Sequence, residues 1–586
     1  MPTFDTALTA LDDRFEHHRA DTGIPGVAWG VVRDGALVRS AGAGTMRDGQ
    51  ALRPDAGTAF RIASMTKSFT AATLLLLRDE GRLQLDDPVA LHVPELEWWR
   101  PATADSGPVT LRQLMTMSSG LGTDDPWGDR QQGLPLDAFS RLLAAGPSFA
   151  WAPGTAFDYS NLGYGILGRV ITSVAGAEYR EVVRERLLAP LGMAVTAFDA
   201  QDVPEPRLAH GYVRQGDSLV REGTDGYGAL ASMGGLFSTV EDLARWVAGF
   251  IDAFPARSED AGAHPLRRSS RREMQQAHRF FGLEVPAAAP DVEAEPWSGA
   301  YGFGLFVRSE PALGTIVAHS GGYPGFGSNM AWHPASGIGV IGLGNLRYAP
   351  MSTIVGDVLR SLVRADGVPA RRVAAGPMAE QYRATVEDLL TQWDDAAADA
   401  AFAMNMDLDE PRDRRRAAVE QIAAALGPFR PDPTRPTVSE SSAHLRWWMR
   451  GERGRVQLEL LVTPEPLPRI QTLKVTHVPD PCAALVTAAD TLLTAARHEP
   501  VWPSALAAAA SLDTATVLRE LGAGAIRFGA MTLGLPTKGD GTTTTTWDLA
   551  TERGRATLKV TLDPACGTVT AAELRVPSRS MPAEAW

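Results

Sequence analysis

Apolar positions recur with helical spacing at the start of the chain and in strand-like runs directly after it. The spacing over residues 4–15 predicts an amphipathic helix. Two short apolar runs then flank Asp34-Gly35, a dipeptide typical of tight β-hairpin turns. A third run, from Phe60, leads into a helix with its C-cap at Gly81. This part of the chain is therefore predicted to contribute a helix, a hairpin and a second, strongly apolar helix.

The next stretch alternates helices, loops and strands in an order that indicates an α+β fold. Residues 121–150 are loop-rich and form either a pocket wall or an ordinary surface loop, and residues 256–298 are interpreted as a flexible insertion. The other elements predicted are helices at 110–117, from Asn161, from Ser238 with Glu241 in a capping box and at 351–363, and strands at 301–307, 315–319 and 338–343. This order predicts an antiparallel sheet with helices packed on it.

An internal repeat of roughly 100 residues follows in the C-terminal part of the chain. Glu-Arg-Gly-Arg occurs at 452–455 and again at 552–555, and Trp447 is matched by Trp547. Each copy is predicted to be a small α+β domain of helices followed by a strand meander, loosely resembling the cystatin or nuclear-transport-factor shape. The domains predicted are 1–368, 377–480 and 481–586. Because the copies carry no chemical motif, they either form a structural or dimerising appendage, the expected surface for a homo-oligomer, or cover the pocket of the first domain.

Composition and charge exclude several classes of protein. The chain has 586 residues, 44% of them hydrophobic, and its net charge of −13 argues against general nucleic-acid binding. With two cysteines, Cys482 and Cys566, neither a disulfide scaffold nor a cysteine-rich metal site is expected. The first residues lack the features of a signal peptide, and no apolar stretch is long enough to span a membrane. We therefore expect a cytoplasmic protein that binds no membrane.

One lysine stands out in a chain whose cations are almost all arginine. The sequence has 56 basic side chains, of which four are Lys, and the first 473 residues contain a single one, Lys67. Arginine cannot release a proton in a protein, whereas an amine can, and burial lowers the pKa of an amine. Ser64 lies three residues before Lys67 and so on the same helix face. This spacing suggests a serine nucleophile with an amine partner.

Two later segments carry residue types that complement this pair. Tyr159-Ser160-Asn161 precedes a helix, and a phenol beside an ammonium group is expected to shift toward phenolate, which can accept the serine proton. The amide of Asn161 can hold the lysine or a substrate carbonyl. His319-Ser320-Gly321-Gly322 ends a predicted strand, where glycines let a ligand approach and an N–H group can form half of an oxyanion hole. No nucleophile-elbow, zinc-helix or P-loop motif occurs, and we expect no metal and no cofactor.

Together these segments resemble the serine β-lactamase and penicillin-binding-protein superfamily, in its class C β-lactamase-like branch. Ser64-Met65-Thr66-Lys67 matches the first motif of that family and Tyr159-Ser160-Asn161 the second, while His319-Ser320-Gly321 stands where Lys-Thr-Gly is usual. The resemblance covers about residues 5–365. It implies a β-lactamase or transpeptidase-like sheet flanked by helices, together with a helical subdomain.

The resemblance also implies roles for individual residues. Ser64 would be acylated, Lys67 and Tyr159 would form the general base, and Asn161 would position Lys67 and the substrate. The complete implied set is, for catalysis, Ser64, Lys67, Tyr159, Asn161 and His319; for the oxyanion hole, the N–H groups of Ser64 and Gly322; and for substrate contact, Ser320, Gly321, Tyr323 and Trp127.

Two departures from the family pattern narrow the expected function. His319 replaces a lysine, and because an imidazole is largely neutral at pH 7, strong recognition of a substrate carboxylate is not expected. The absence of an export signal fits poorly with a cell-wall transpeptidase or a secreted β-lactamase. We therefore expect a serine hydrolase that cleaves ester or amide bonds in a small-molecule or peptide acyl substrate.

Three alternatives stay open. The first is a D-aminopeptidase or amidase, which resembles other His-x-Gly members of the branch and would need an acidic group near the pocket. The second is an acyl transferase or peptide cyclase, in which an amine or alcohol replaces water as the acyl acceptor. The third, from a different class, is a binding or sensor protein that keeps the fold without turnover.

Overall fold

The computed structural model of this chain describes residues 3–97, 99, 103–257, 262, 264–284, 296–367, 374–497, 501–552 and 556–575. The chain divides into two compact units, the first ending at Arg371 and the second running from Arg372 to Ala585. No described helix has the length and apolar character needed to cross a membrane. Within the same residues, no cluster of three or more His, Cys, Asp or Glu side chains is arranged to hold a metal ion.

The first unit is built around one large antiparallel sheet and two small strand pairs. Its strands are β1 (Gly26–Arg33), β2 (Ala36–Gly44), β3 (Phe60–Arg61), β4 (Tyr212–Gln215), β5 (Ser218–Arg221), β6 (Phe237–Ser238), β7 (Arg279–Glu284), β8 (Trp297–Tyr301), β9 (Phe306–Glu310), β10 (Gly314–Tyr323), β11 (Phe326–His333) and β12 (Ile338–Gly344). Eight of them form the large sheet in the order β2-β1-β12-β11-β10-β9-β8-β7, while β3 pairs with β6 and β4 with β5.

Twelve described α-helices accompany these strands in the first unit. They are α1 (Phe4–Thr9), α2 (Leu11–Thr22), α3 (Thr66–Asp79), α4 (Leu111–Met115), α5 (Asp125–Gly128), α6 (Leu136–Ala145), α7 (Asn161–Ala175), α8 (Tyr179–Val183), α9 (Ala231–Gly234), α10 (Val240–Asp252), α11 (Arg268–Met274) and α12 (Met351–Asp366). Helices α1, α2 and α12 belong to the apolar core on one face of the sheet, and α3, α7 and α10 to the larger core on the other. The central strands β11 and β12 are buried along their whole length, as expected for strands covered on both faces.

The predicted N-terminal hairpin is confirmed in detail. Asp34 has φ 49° and Gly35 has φ 85°, the left-handed conformations that a two-residue hairpin turn of this kind requires. Strand β1 is also paired along its other edge with β12, so that Val27 lies opposite Gly344. The first and last strands of the unit are therefore neighbours inside the sheet, second and third from the edge formed by β2.

Several predicted elements differ from those observed. The first helix is divided at Ala10, and α10 is capped by Thr239, whose side chain accepts a hydrogen bond from Asp242, and not by Ser238. The sequence pattern missed β11 and joined the end of β8 to β9 across a turn at Gly304. The segment 256–298 is not simply a flexible insertion, because its described residues include α11, β7 and the start of β8; part of it lies outside the described residues.

The second unit contains two small sheets, each joined to helices. The first group is α13 (Pro377–Thr391), α14 (Asp395–Ala401), α15 (Asn405–Asp409), α16 (Arg412–Leu426), β13 (Arg430–Pro431), β14 (His444–Arg450), β15 (Gly454–Val462) and β16 (Ile470–Pro479). The second group is α17 (Ala483–Ala495), α18 (Thr514–Phe528), β17 (Met531–Gly539), β18 (Thr544–Thr551), β19 (Ala556–Leu562) and β20 (Val569–Arg575). Each sheet is an antiparallel meander whose strands follow chain order.

The two groups of the second unit share their packing as well as their strand order. Trp447 and Trp547 are both buried on the second strand of their sheets. Gly427, which ends α16, faces Glu452, and Gly529, which ends α18, faces Glu552. The predicted fold class, an α+β domain followed by two small repeated α+β domains, is confirmed. Their resemblance to cystatin or nuclear transport factor, and the boundary at 480, stay predictions.

Candidate active site

Ser64 lies on a single 3-10 turn, Ala63–Met65, that leads directly into α3. The residue before it, Ala63, has φ 47°, a left-handed conformation that costs a non-glycine residue of order 1–3 kcal/mol. The turn is held on two sides, because the Ile62 N–H donates to the Leu236 carbonyl (2.9 Å) and the Ser328 hydroxyl donates to the Ile62 carbonyl (2.8 Å). The serine is therefore presented by a strained turn that two distant parts of the chain, at Leu236 and Ser328, keep in place.

Lys67 is fully buried one turn further along the same helix, with 0% of its surface exposed. Its Nζ lies 3.0 Å from Ser64 Oγ, 2.6 Å from Asn161 Oδ1 and 2.9 Å from the carbonyl oxygen of Met233. The amide and carbonyl oxygens can only accept hydrogen bonds. A neutral amine with two N–H groups therefore donates both to these oxygens, which turns its lone pair toward the Ser64 hydroxyl.

The electrostatic environment makes that neutral form accessible. Burial lowers the pKa of Lys67 from its ordinary 10.5 to about 8, against the opposing effect of three nearby carboxylates, Asp125, Asp129 and Asp124. This direction agrees with the expectation that the chain retains an amine here for its releasable proton. Arginine at the same position would stay protonated.

Asn161 is the first residue of α7, and two aspartates fix its backbone and its amide. Asp124 accepts from the Asn161 N–H (2.6 Å), and Asp125 Oδ1 accepts from Asn161 Nδ2 (2.8 Å). Because the amide nitrogen is bound to a carboxylate, its oxygen must face Lys67. Asp125 therefore sets the orientation of Asn161, and through it the direction of the lysine amine.

Tyr159 is partly buried among aromatic rings beside the lysine. Its ring centroid lies 4.7 Å from Lys67 Nζ and 6.3 Å from the ring centroid of His319, and its hydroxyl shares a hydrogen bond with Ser64. Burial raises the pKa of Tyr159 well above 10, and the hydrogen bond to Ser64 offsets this only partly. The expectation that Lys67 drives Tyr159 toward phenolate is therefore wrong for the resting protein. Desolvation of the phenolate raises the pKa of Tyr159, and the negative charges of Asp125 and Asp129 raise it further.

His319 lies on β10 with 1% of its surface exposed, and both of its ring nitrogens have partners. Nδ1 lies 2.6 Å from the Ser320 carbonyl oxygen, which can only accept, so Nδ1 carries the proton. Nε2 is then the acceptor for the Tyr301 hydroxyl, whose oxygen lies 3.0 Å from it. Burial and the charge of Lys67 lower the pKa of His319 to about 3. The imidazole is neutral and enclosed, so it brings no positive charge to a substrate carboxylate.

Beyond His319, β10 turns one face toward the open cleft. Pairing with β9 ends at Ala318, so in the described structure the next residues present a free strand edge on that side. Ser320 is exposed and Gly322 is half-buried, whereas Gly321 and Tyr323 face the interior. A Cβ on Gly321 would overlap the Ile62 carbonyl oxygen, and the Tyr323 hydroxyl donates to Asp225 (2.8 Å). Ser320 and Gly322 are thus the more accessible residues of this segment and Gly321 and Tyr323 the buried ones. The roles predicted for all four stay predictions.

The loop-rich segment 121–150 contributes the opposite side of the site. Trp127, predicted to contact substrate, is 40% exposed on α5, and a Cβ on the adjacent Gly128 would come within 2.8 Å of Asn161 Cβ. Asp129 follows, 5% exposed, and burial raises its pKa to about 6 although Lys67 and Arg61 lower it. Of the two interpretations of this segment, the structure supports a pocket wall.

Sequence reasoning missed the acidic side chains of this site. They are Asp124, Asp125, Asp129 and, on the far side, Asp225. The one available signal was the Asp-Asp-Pro-Trp-Gly-Asp segment, in which proline marks a helix start and the aspartates lie around it. That pattern does not reveal which distant amide or amine the carboxylates meet.

A model of the β-lactamase family matches residues 11–365 of the chain. The chain belongs to the β-lactamase family. The predicted superfamily is thereby confirmed, and membership of this family supports the predicted enzyme class of serine hydrolase. The match includes every residue of the candidate site and stops before the second unit.

Two curated relatives and one solved structure are similar to this chain over much of its length. Protein flp of Staphylococcus aureus (strain COL) is 27% identical over 344 residues, which cover 58% of this chain and 64% of flp. The D-alanyl-D-alanine-carboxypeptidase/endopeptidase AmpH of Escherichia coli (strain K12) is 28% identical over 372 residues, covering 61% of this chain and 89% of AmpH. The chain thus spans less than two thirds of the length of flp.

The solved structure is the octameric penicillin-binding protein homologue from Pyrococcus abyssi. It is 18% identical, covers 95% of this chain and 96% of its own, and superposes with a TM-score of 0.53. At this level of identity the likeness concerns the fold alone.

Proposed function

We propose that this protein hydrolyses ester or amide bonds through an acyl-enzyme formed on Ser64. The observation that carries the proposal is the orientation of Lys67, whose two remaining partners, Asn161 and Met233, leave its lone pair for the Ser64 hydroxyl. A buried amine with a pKa of about 8 is partly neutral near pH 7, as a general base should be.

The proposed reaction begins when Lys67 accepts the hydroxyl proton of Ser64 and Oγ attacks the acyl carbonyl carbon. The negative charge that develops on the carbonyl oxygen is held by the N–H groups of Ser64 and Gly322. Tyr159, a protonated phenol hydrogen-bonded to Ser64, is suited to donate a proton to the departing alcohol or amine. It regains that proton from Lys67, which completes the transfer from serine to leaving group.

Water then attacks the Ser64 ester, releases the carboxylic acid and restores the hydroxyl. The same intermediate would serve an amine or alcohol acceptor, so a transferase or cyclase shares every step up to this point. Turnover with water in the absence of an added nucleophile separates the two.

A second candidate function, a D-aminopeptidase or amidase, is favoured by the carboxylates around the site. This function requires an acidic group to hold a substrate ammonium. Two exposed aspartates are available, Asp125, which accepts from Asn161, and Asp225, which accepts from Tyr323. The neutral His319 offers no counter-charge to a substrate carboxylate. A D-alanyl-D-alanine carboxypeptidase substrate, as named for AmpH, is correspondingly disfavoured for this chain.

An assembly of several copies is a further proposal. It rests on the fold likeness to a homologue described as octameric, and the repeated domains of the second unit are the surface we propose for it. Light scattering after size-exclusion chromatography tests it, and a mass near that of one 62.6 kDa chain would contradict it.

The central test is covalent labelling followed by turnover measurements. An alkyl fluorophosphonate should add one adduct to the intact mass of the wild type and none to Ser64→Ala. Lys67→Arg keeps the charge but removes the releasable proton, so p-nitrophenyl acetate hydrolysis should fall at least about a hundredfold. Lys474→Arg, at an exposed surface lysine, is the matched control and should leave the rate unchanged. Absence of both adduct and turnover would favour the non-catalytic binding protein.

The second candidate needs a different comparison. D-alanyl p-nitroanilide should be cleaved with a kcat/KM at least about tenfold higher than its N-acetylated form, because only the former carries an ammonium group. Equal or better cleavage of the acetylated compound would remove this candidate and leave the general hydrolase in place.

A further inference from the structure

Tyr348 has an unusual backbone conformation for a large, exposed residue. It lies between β12 and α12 with φ 50°, and its side chain is 48% exposed. A left-handed conformation costs an ordinary residue roughly 1–2 kcal/mol, and burial of this ring does little to offset it. Backbone outliers of this kind are concentrated at functional sites.

The ring of Tyr348 bridges the two sides of the candidate site. On the sheet side it lies directly over Gly322, where an added Cβ would come within 2.7 Å of Tyr348 Cδ1. On the helical side its hydroxyl donates to Asp129 Oδ2 at 2.8 Å. Its backbone N–H is also held, 3.1 Å from the Phe326 carbonyl oxygen. A glycine at 322 thus accommodates the ring, and the hydroxyl reaches across to Asp129 in the segment 121–150, whose Gly128 packs against Asn161.

The direction of β10 indicates which part of a substrate meets this bridge. Tyr159, the proposed proton donor to the leaving group, lies beside His319. Gly322 is three residues beyond His319 on the same strand, which places the two Cα atoms about 10 Å apart at 3.3–3.4 Å per residue. With the carbonyl oxygen at the Gly322 N–H and the leaving group toward Tyr159, the acyl chain leaves the carbonyl carbon on the other side and passes beside Gly322, where the Tyr348 ring lies.

We propose that Tyr348, hydrogen-bonded to Asp129, closes the acyl side of the cleft and limits the size of the acyl group. It is a specificity-determining residue, and this inference rests on the proposed serine hydrolase function. Substrates with short acyl groups fit beneath the ring, whereas longer ones must break the Tyr348–Asp129 hydrogen bond and displace the ring.

The test compares p-nitrophenyl acetate with p-nitrophenyl octanoate, because the leaving group is then constant. Tyr348→Gly removes the ring and relieves the left-handed strain, and the octanoate-to-acetate ratio of kcat/KM should rise at least about tenfold. Tyr348→Phe keeps the ring but not the hydrogen bond, so its ratio should lie between those of the wild type and the glycine variant. Leu91→Gly, at a residue 66% exposed elsewhere in the unit, should change the ratio less than about twofold.

A ratio in Tyr348→Gly within about twofold of the wild type would overturn the inference. If that variant does not fold, Tyr348→Asn takes its place, since asparagine tolerates a left-handed backbone, and the same thresholds apply. Rates of intact-mass labelling by ethyl and octyl fluorophosphonates give a second measure that does not depend on deacylation. Failure of the proposed function has a separate signature, in which the wild type neither hydrolyses the acetate nor forms an adduct at Ser64.

Discussion

Hydrolysis should increase with pH along a limb set by Lys67, and removing a neighbouring negative charge should move that limb to lower pH. With a pKa of about 8, roughly one Lys67 amine in ten is neutral at pH 7. An amine at the ordinary 10.5 would be neutral in about three molecules in ten thousand, so burial increases the reactive form roughly 300-fold. Below pH 8 the rate should fall about tenfold for each unit.

Asp125 is the carboxylate with the largest opposing effect on Lys67. The two groups are joined through one amide, with 2.8 Å from Asp125 to Asn161 Nδ2 and 2.6 Å from Asn161 Oδ1 to Lys67. They are therefore at most about 8 Å apart, which corresponds to about 2 kcal/mol at an effective dielectric constant of 20. Because Asp125 is exposed, solvent screening reduces this to about 1 kcal/mol, or a little under one pH unit.

Asp125→Asn removes the charge but keeps an amide oxygen that can accept from Asn161. The carboxylate stabilises the ammonium form, so its removal lowers the pKa of Lys67 and the acid limb should move down by about one unit. The assay is kcat/KM for p-nitrophenyl acetate from pH 5.5 to 9.5, which reports the free enzyme. Relative to its own plateau, the variant should be several-fold faster than the wild type at pH 6.

The matched control is Asp137→Asn, which removes the same charge from an exposed ion pair with Arg141 on α6. This substitution should leave the acid limb within about 0.2 pH unit of the wild-type position, because solvent and distance screen the Asp137 charge from Lys67. A limb that stays in place in Asp125→Asn, or moves to higher pH, would refute the assignment of this limb to Lys67. A rate that does not depend on pH would refute the role of the amine as base.

Two further predictions concern packing. Gly321→Ala should lower the free energy of unfolding by more than about 2 kcal/mol, because the new methyl group overlaps the Ile62 carbonyl. Thermal melting measures this loss, with Ser320→Ala as the control. Equal melting temperatures for the two variants would contradict the prediction. Gly427→Ala and Gly529→Ala should each lower the free energy of unfolding by about 1–2 kcal/mol or more, because both glycines have positive φ (81° and 74°). Each glycine also packs against the glutamate at the matching position of its repeat, Glu452 or Glu552. Urea unfolding measures the two effects, and a large loss of stability in one variant with none in the other would count against the repeat.

The sequence was sufficient for the parts of the site that depend on local spacing. Ser64 and Lys67 share a helix face because of their three-residue separation, and Asn161 begins a helix where the pattern predicted one. The unusual retention of lysine in an arginine-rich chain also indicated the correct direction of its pKa. These inferences needed no knowledge of tertiary contacts.

The remainder depended on distances between residues far apart in the chain. The Tyr159 pKa was predicted in the wrong direction because the lysine charge was considered without the burial of the phenol. Asp125 and Asp129 were not recognised, since nothing in their local segment shows that they meet Asn161 and Tyr348. Strand β11 was missed because glycine and polar residues mask its pattern, although the sheet buries it entirely.

The pairing of β1 with β12 has a consequence for synthesis of the protein. On the ribosome, β1 is made more than 300 residues before the strand that will occupy its inner edge. Until β12 emerges, a strand destined for nearly complete burial keeps one edge unpaired, and such edges promote association between chains. The turn that carries Ser64 likewise waits for Leu236 and Ser328. Activity should therefore arise late and all at once, only after this whole unit has been translated.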